Sequence, residues 1–233
     1  MKNITREIIN VIRKNRISSV EVSDALGKAG VVDGVAPLNK GHFIVGEVQY
    51  IYGHSESNWS IHQQAENLEE GGILLVDAFN CKNKALFGDI VTKYLLLYKR
   101  LDGLVVNGFL RDVHRLIKEN YPIWCQGATP IGCYNQDIPL PEEIKKLAES
   151  KHLSLKDSIL VCDDSGCTLI PNNKIDQDLL EKLNFIELQE DIWYFCIDTL
   201  KWSTYKTICQ KDYLKEPEVL PESIRQRMKE FNW

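Results

Sequence analysis

Two stretches of the chain combine glycine, acid and arginine in a way that can do chemistry: LFGDIV, with Gly88 and Asp89, and LDGLVVNGFLRD, with Arg111 and Asp112. Each stands at a junction between regular elements, where backbone amides and side chains can converge on a ligand. Gly88 lets the backbone approach an anion closely. The amides of Asp89, Ile90 and Val91 open a helix and point outward from its N-terminus, a place that suits a carboxylate. Arg111 follows a strand-like run, and its guanidinium fork suits the coplanar carboxylate and carbonyl oxygens of a 2-oxo acid. Asp112 beside it is a hard oxygen ligand of the kind magnesium takes singly or in pairs, with water completing the shell. An isolated Arg-Asp dipeptide is more often a solvated, mutually paired turn, and an acid at a helix start serves the macrodipole as readily as a reaction. The pairing of the two stretches is what points to a site.

The surrounding segments read as alternating helices and strands. Ile4, Ile8, Ile9 and Ile12 predict an amphipathic helix over 5–14, ending near Asn15. A second helix follows, capped by Ser18 or Ser19, with Val22, Ala25, Leu26 and Ala29 as its stripe and Gly30 at its end. HFIVGEVQYIYG and GGILLVDAF, rich in β-branched and aromatic residues, predict strands, with a helix over 59–70 between them. Then come a helix over 89–100, a strand over 103–107, a helix over 113–119 and a strand over 123–126. Pro139 and Pro141 introduce a helix in PEEIKKLAES, and DSILVCDDSGCTLIP reads as a hairpin turning at Asp-Ser-Gly. A helix over 176–183 leads to WYFCIDTLKW, a strand-like aromatic run, and a helix over 222–231 ends the chain. Alternation of this kind predicts an α/β layered domain.

The chain has 233 residues, enough for one large domain or an ordinary domain with an extension. A net charge of -5 offers no general attraction to phosphate backbones, which argues against direct nucleic-acid binding. The N-terminus lacks the apolar stretch of a signal peptide, and no later run has the length of a membrane span. Cys81, Cys125, Cys133, Cys162, Cys167, Cys196 and Cys209 form no Cys-x-x-Cys pair, and read as buried, reduced thiols of a cytoplasmic protein. The histidines form no metal-type spacing.

The ordered series VSDALGKAG, VGEVQYIYG, GGILLVDAF, LFGDIV, DGLVVNGFLRD, YPIWCQG and DSILVCDDSGCTLIP, spanning residues 18–172, resembles the RraA-like family. The resemblance implies a layered α/β swivelling-domain fold, with a family-like domain over 1–188; it does not account for the extension over 189–233, whose aromatic residues are expected to pack on that domain or on a neighbouring subunit. It implies a homotrimer, or a hexamer of paired trimers, with active sites at subunit interfaces. It further implies a divalent-metal-dependent lyase, an aldolase of 4-hydroxy-2-oxo acids that often also decarboxylates oxaloacetate. In that pattern Arg111 binds the pyruvyl part of the substrate and Asp112 anchors Mg2+ or Mn2+. The backbone amides come from Gly88, Asp89, Ile90 and Val91, and Asp89 positions or activates a water. Retro-aldol cleavage and β-decarboxylation both generate a pyruvate enolate, so one charge-stabilising site serves both. Other family members are regulators that bind and inhibit a ribonuclease, an alternative here, and the scaffold can also be adapted to another biosynthetic substrate.

Two features depart from the family pattern. The stretch from Gly88 to Arg111 is about one residue longer, and Arg115 stands where catalytic members carry an acid; a cation there works against a second positive charge at Asp112. Elsewhere the expectations are structural. Asp163 and Asp164 belong to the hairpin turn, Glu21 and Asp24 to caps or packing, with a subunit-crossing role for Glu21 as the weaker alternative. His54 and His62 are structural or exposed, and His114 faces solvent.

Overall fold

In a computed structural model of the protein, residues 2–231 are described, and the chain divides into two compact units, Met1–Asp176 and Gln177–Trp233. The first unit opens with α1 (Lys2–Asn15) and α2 (Ser19–Ala25), followed by β1 (Ala36–Pro37), β2 (Ile44–His54), α3 (Trp59–Ala65) and β3 (Ile73–Phe79). Then come β4 (Ala85–Phe87), α4 (Asp89–Lys93), continued by a π-helical turn at Tyr94–Tyr98, β5 (Gly103–Leu110), α5 (Val113–Lys118) and β6 (Ile123–Ala128). The unit closes with α6 (Glu142–Leu155), β7 (Ile159–Asp163) and β8 (Gly166–Ile170). The sheet runs β1-β6-β5-β3-β2-β7-β8, with β4 paired to β5. Strands β2, β3, β5 and β6 are mutually parallel, and β4 is parallel to β5, so the chain leaves β4 and β5 on the same side of the sheet. Ends of parallel strands are where α/β folds bind ligands.

The period of two explains the layers. Leu74, Val76, Leu104, Val106 and Ile123 face one side, where Ile61 of α3, Leu95 of the π turn and Leu116 of α5 cover them. Ile73, Leu75, Val105 and Trp124 face the other, against Leu160, Cys162 and Cys167 of the β7–β8 hairpin. Strands covered on both faces read as continuous apolar runs, and ILLV of β3 is such a run. Burying each of these side chains contributes about 1.5–3 kcal/mol.

Several boundaries differ from the sequence expectations. Helix α2 is capped by Ser18, whose hydroxyl accepts from the Glu21 amide at 3.2 Å, while the Glu21 carboxylate accepts from the Ser18 amide at 2.7 Å. Glu21 is thus a capping residue. The helix stops at Ala25 rather than near Gly30; Gly30 instead lets the chain lie against β8, where a Cβ would fall 2.5 Å from the Leu169 carbonyl. Helix α3 ends at Ala65, five residues before the expected end, and Gly71 and Gly72, both at positive φ, turn the chain into β3. Strand β5 extends to Leu110, since β4 and β6 both pair with its final residues.

The second unit holds α7 (Gln177–Tyr194), which runs without a break past position 188, a second π turn at Phe195–Thr199, a third at Tyr205–Cys209, and α8 (Glu222–Glu230). The expected strand at WYFCIDTLKW is therefore helical. Leu188, Ile192 and Cys196 recur at helical spacing and bury against Tyr213, Leu220 and Met228, and this period overrides the β-propensity of the aromatic residues between them. No helix among the described residues is long and apolar enough to cross a membrane. The thiols are less uniformly buried than expected: Cys209 is exposed and Cys133 half-buried, because each sits at the edge of a loop or turn.

Candidate active site

Strand β4 delivers Gly88, and β5 delivers Arg111 and Asp112, to one place. The Arg111 amide donates to the Phe87 carbonyl at 3.0 Å, stitching the two strand ends together. A Cβ on Gly88 would fall 2.1 Å from Asp112 Oδ2 and 2.9 Å from Arg111 Cγ, so only glycine admits this approach. Asp112 sits in the left-handed region at φ 58°, an uncommon conformation that aspartate tolerates and that clusters at functional sites. Its carbonyl accepts the amides of Arg115 and Leu116, launching α5.

Arg111 extends over a loop from elsewhere in the chain. A Cβ on Gly132 would lie 2.6 Å from Arg111 Nη1, so this second glycine makes room for the guanidinium. Arg111 Nε is 3.7 Å from Asp112 Oδ2, an ion pair longer than a hydrogen bond, and its side chain is half exposed. The fork is free to turn to a ligand.

Asp89 is engaged by Arg115, whose Nη1 donates to Oδ2 at 2.7 Å. The Arg115 guanidinium, with smaller help from the Ile90 amide and from Asp112, holds the Asp89 carboxyl below its usual range against the opposing effect of burial. The Ile90 amide is thus turned to the Asp89 carboxylate, although the Ile90 side chain is exposed. Val91 follows in the same turn, and the Thr92 amide closes it on the Gly88 carbonyl at 3.1 Å. Beside Asp89 and Arg115 opens a cleft of about 360 Å³ that also draws on Lys93, Lys118 and Tyr121.

At Tyr94–Tyr98 the helix widens to a π turn, with the Lys99 amide reaching back five residues to the Tyr94 carbonyl at 3.0 Å. A π turn takes up one residue more than an α turn, and Gly88 stays seated against Asp112 across this segment.

The divalent cation implied by the family resemblance can be judged by donor chemistry. Asp112 is about a third exposed, and Asp89, one residue from the glycine seated against it, is paired with Arg115. No group of three or more His, Cys, Asp or Glu converges among the described residues. Two carboxylates with room for water suit magnesium or manganese and exclude a closed zinc site. The residues fit.

Other expectations resolve simply. Asp163 accepts from Ser19 N at 2.7 Å, Ser19 Oγ at 2.8 Å and Ser165 N at 2.8 Å, and Asp164 accepts from Gly41 N at 2.9 Å; both are structural. Asp24 pairs with Lys28. His54 is buried beside Ser55, its pKa lowered by that burial, and His62 and His114 are exposed. Sequence reading missed Gly132. Nothing local in TPIGCY marks it, because its role is set by an arginine twenty-one residues away.

Comparison with known proteins agrees with this architecture. The model of the RraA-like family, described as aldolase/RraA, matches residues 19–169. The Legionella pneumophila protein DlpA is 26% identical over 200 residues, covering 82% of this chain; the match spans only 31% of DlpA's own length. A Halalkalibacterium halodurans protein provisionally named 4-hydroxy-4-methyl-2-oxoglutarate aldolase is 26% identical over 184 residues, 76% of this chain and 82% of that protein. Among solved structures, an uncharacterized Pseudomonas syringae protein superposes with a TM-score of 0.63 at 20% identity, over 83% of this chain and 89% of that one. Streptomyces coelicolor RraAS2, described as an unusual member of the RNase ES inhibitor RraA family, gives 0.61 at 22% identity, over 79% and 96%.

Proposed function

The chain belongs to the RraA-like family, and from that premise we propose that it is a divalent-metal-dependent carbon–carbon lyase acting on a 2-oxo acid. The reaction is retro-aldol cleavage of a 4-hydroxy-2-oxo acid, β-decarboxylation, or both. The observation that carries this reading is the seating of Gly88 directly against the Arg111–Asp112 turn, which brings an amide-bearing helix start, a cationic fork and two carboxylates into one site. Arg111 grips the substrate carboxylate and fixes the plane of the 2-oxo group. Asp112, with Asp89 beside it, would hold Mg2+ or Mn2+, which when bound supplies a Lewis acid for the charge that develops on the 2-oxo oxygen. Asp89, kept ionised by Arg115, orients a water that accepts the 4-hydroxyl proton in cleavage or returns one to the enolate carbon. The amides of Gly88, Asp89 and Val91 face the anionic end of the substrate. The working assembly is a homotrimer or hexamer in the cytoplasm, with neighbouring subunits closing the site.

The test is pyruvate release from oxaloacetate and from 4-hydroxy-4-methyl-2-oxoglutarate, with magnesium, manganese or chelator, on wild type and Asp112→Ala. Metal-stimulated release that Asp112→Ala abolishes supports the lyase; inactivity of the wild type in every condition rejects it. One observation favours a second reading, a non-catalytic regulator that binds a ribonuclease: Arg115 already occupies Asp89 at 2.7 Å. Inhibition of a partner ribonuclease by a chain that releases no pyruvate is the outcome that reading requires.

A further inference from the structure

Cys81 lies in the turn between β3 and β4, and Cys133 lies in the loop after β6, directly beside the glycine that supports Arg111. The two segments are laced together: the Ala85 amide donates to the Ile131 carbonyl at 2.8 Å, and the Cys133 amide donates to the Ala85 carbonyl at 2.8 Å. Across this ladder the Cys133 thiol packs against the core cluster that holds the Cys81 thiol. Their surroundings are unequal. Cys81 is 1% exposed, packed in the core and also directed to the Phe79 carbonyl at 3.5 Å, whereas Cys133 is half-buried and reaches solvent.

We propose that Cys81 and Cys133 form a reversible oxidation site, a dithiol that closes to a disulfide under a peroxide and acts on Arg111 through Gly132. The groups facing the pair assign the roles. The Cys81 thiol, and then the nearby Lys84 ammonium, lower the Cys133 pKa against burial and the Glu56 carboxylate; the Cys133 thiol and burial raise that of Cys81. Lys84 is fixed there, 2.6 Å from Glu56 and 3.8 Å from the centre of the Tyr134 ring. Cys133 is therefore the attacking thiolate and Cys81 the resolving thiol.

The Cys133 sulfur attacks one peroxide oxygen, the O–O bond breaks, and the departing hydroxide takes a proton and leaves as water, with Cys133 as a sulfenic acid. The Cys81 sulfur then attacks the Cys133 sulfur, the S–O bond breaks, and a second water departs with the Cys81 proton. Two thiols lose two electrons and one peroxide becomes two waters. A dithiol reductant reverses the change by exchange.

The new bond tethers the residue next to Gly132. With no side chain between the Gly132 backbone and Arg111 Nη1, any shift of that backbone is felt by the guanidinium. This second step rests on Arg111 holding the substrate, as proposed above; the oxidation itself does not. Cys162 and Cys167, directly opposed on β7 and β8, are both buried and serve as an internal control that stays reduced.

The full chain is treated with hydrogen peroxide, and its peptides are mapped without reduction. The expected product links Cys81 to Cys133, with the loss of two hydrogens. In Cys81→Ser or Cys81→Ala, Cys133 halts as a sulfenic acid captured by dimedone; in Cys133→Ser, Cys81 stays unmodified. Over-oxidation of Cys133 with Cys81 still free in the wild type, or no linked peptide at all, overturns the site. Pyruvate release from oxaloacetate falls about tenfold on oxidation, the effect of losing one charge-assisted hydrogen bond from the Arg111 fork. Dithiothreitol restores it, and Cys81→Ser is immune. A complete cross-link with an unchanged rate removes the connection to Arg111. A wild type inactive in both redox states rejects the lyase reading, while the peptide map still decides the thiol pair.

Discussion

Two aspartates in turns at strand ends, Asp112 after β5 and Asp163 before the β7–β8 turn, have had opposite uses made of them. Asp163 is saturated: Ser19 gives it both an amide and a hydroxyl, Ser165 gives it a second amide, and its own carbonyl accepts the Trp124 indole at 2.7 Å. Asp112 faces a guanidinium at 3.7 Å and a glycine seated directly against it. The first carboxylate is consumed by folding, tying α2 to the hairpin. The second keeps acceptor capacity for something the chain does not itself contain. Acidity in a turn thus says little about function until the donors around it are counted.

Substitutions at the two turns should separate along that line. The largest effect is expected for Asp112→Ala, a loss of pyruvate release of about a thousandfold or more with thermal stability little changed, read by steady-state assay beside calorimetry. Gly88→Ala drives a methyl into the Asp112 carboxylate and misplaces the turn by on the order of 1 Å, lowering the rate by about a hundredfold. Asp163→Ala reverses the pattern: it strands the Ser19 donors, costs about 2–3 kcal/mol in denaturant unfolding and leaves the activity per folded molecule intact. Abolished activity at unchanged stability in Asp163→Ala would overturn this division between the two aspartates.

A smaller effect is expected at Arg115. Its guanidinium depresses the Asp89 pKa, so any linked stability is present above the unfolded pKa and lost as pH falls through the lower folded one; with Arg115 mostly exposed, that stability is slight. The clearer signal is kinetic. Arg115→Gln should raise the Asp89 pKa and move the acidic limb of the pH–rate profile upward, and an unmoved limb would show that Asp89 does not govern it. Smallest of all, Gly166→Ala in the hairpin meets open space but a φ of +136°, costing about 1 kcal/mol and no activity.

Much of this could be read from the residues. The Gly88–Asp89 and Arg111–Asp112 pairs were visible because each sits at a junction whose local pattern declares strand and helix, and the layered fold followed from runs such as ILLV. Gly132 and the Cys81–Cys133 contact were not visible, since they join loops about fifty residues or fewer apart in sequence by tertiary packing alone. In the second unit the aromatic run carries β-propensity, but the helical spacing of Leu188, Ile192 and Cys196 outweighs it once they bury against Tyr213 and Leu220.

The π turn at Tyr94–Tyr98 carries a lesson about tolerance to length. An extra residue accommodated as ordinary α-helix rotates everything beyond it by about 100°, turning buried positions to solvent. Instead the bulge works as an expansion joint: Leu95 and Leu96 keep their places in the core, and the two strand ends stay in register. A segment joining the two halves of a site can therefore change in length without retuning the chemistry at either end, which frees its outer face, where Tyr94 stacks on Tyr98, to vary on its own terms.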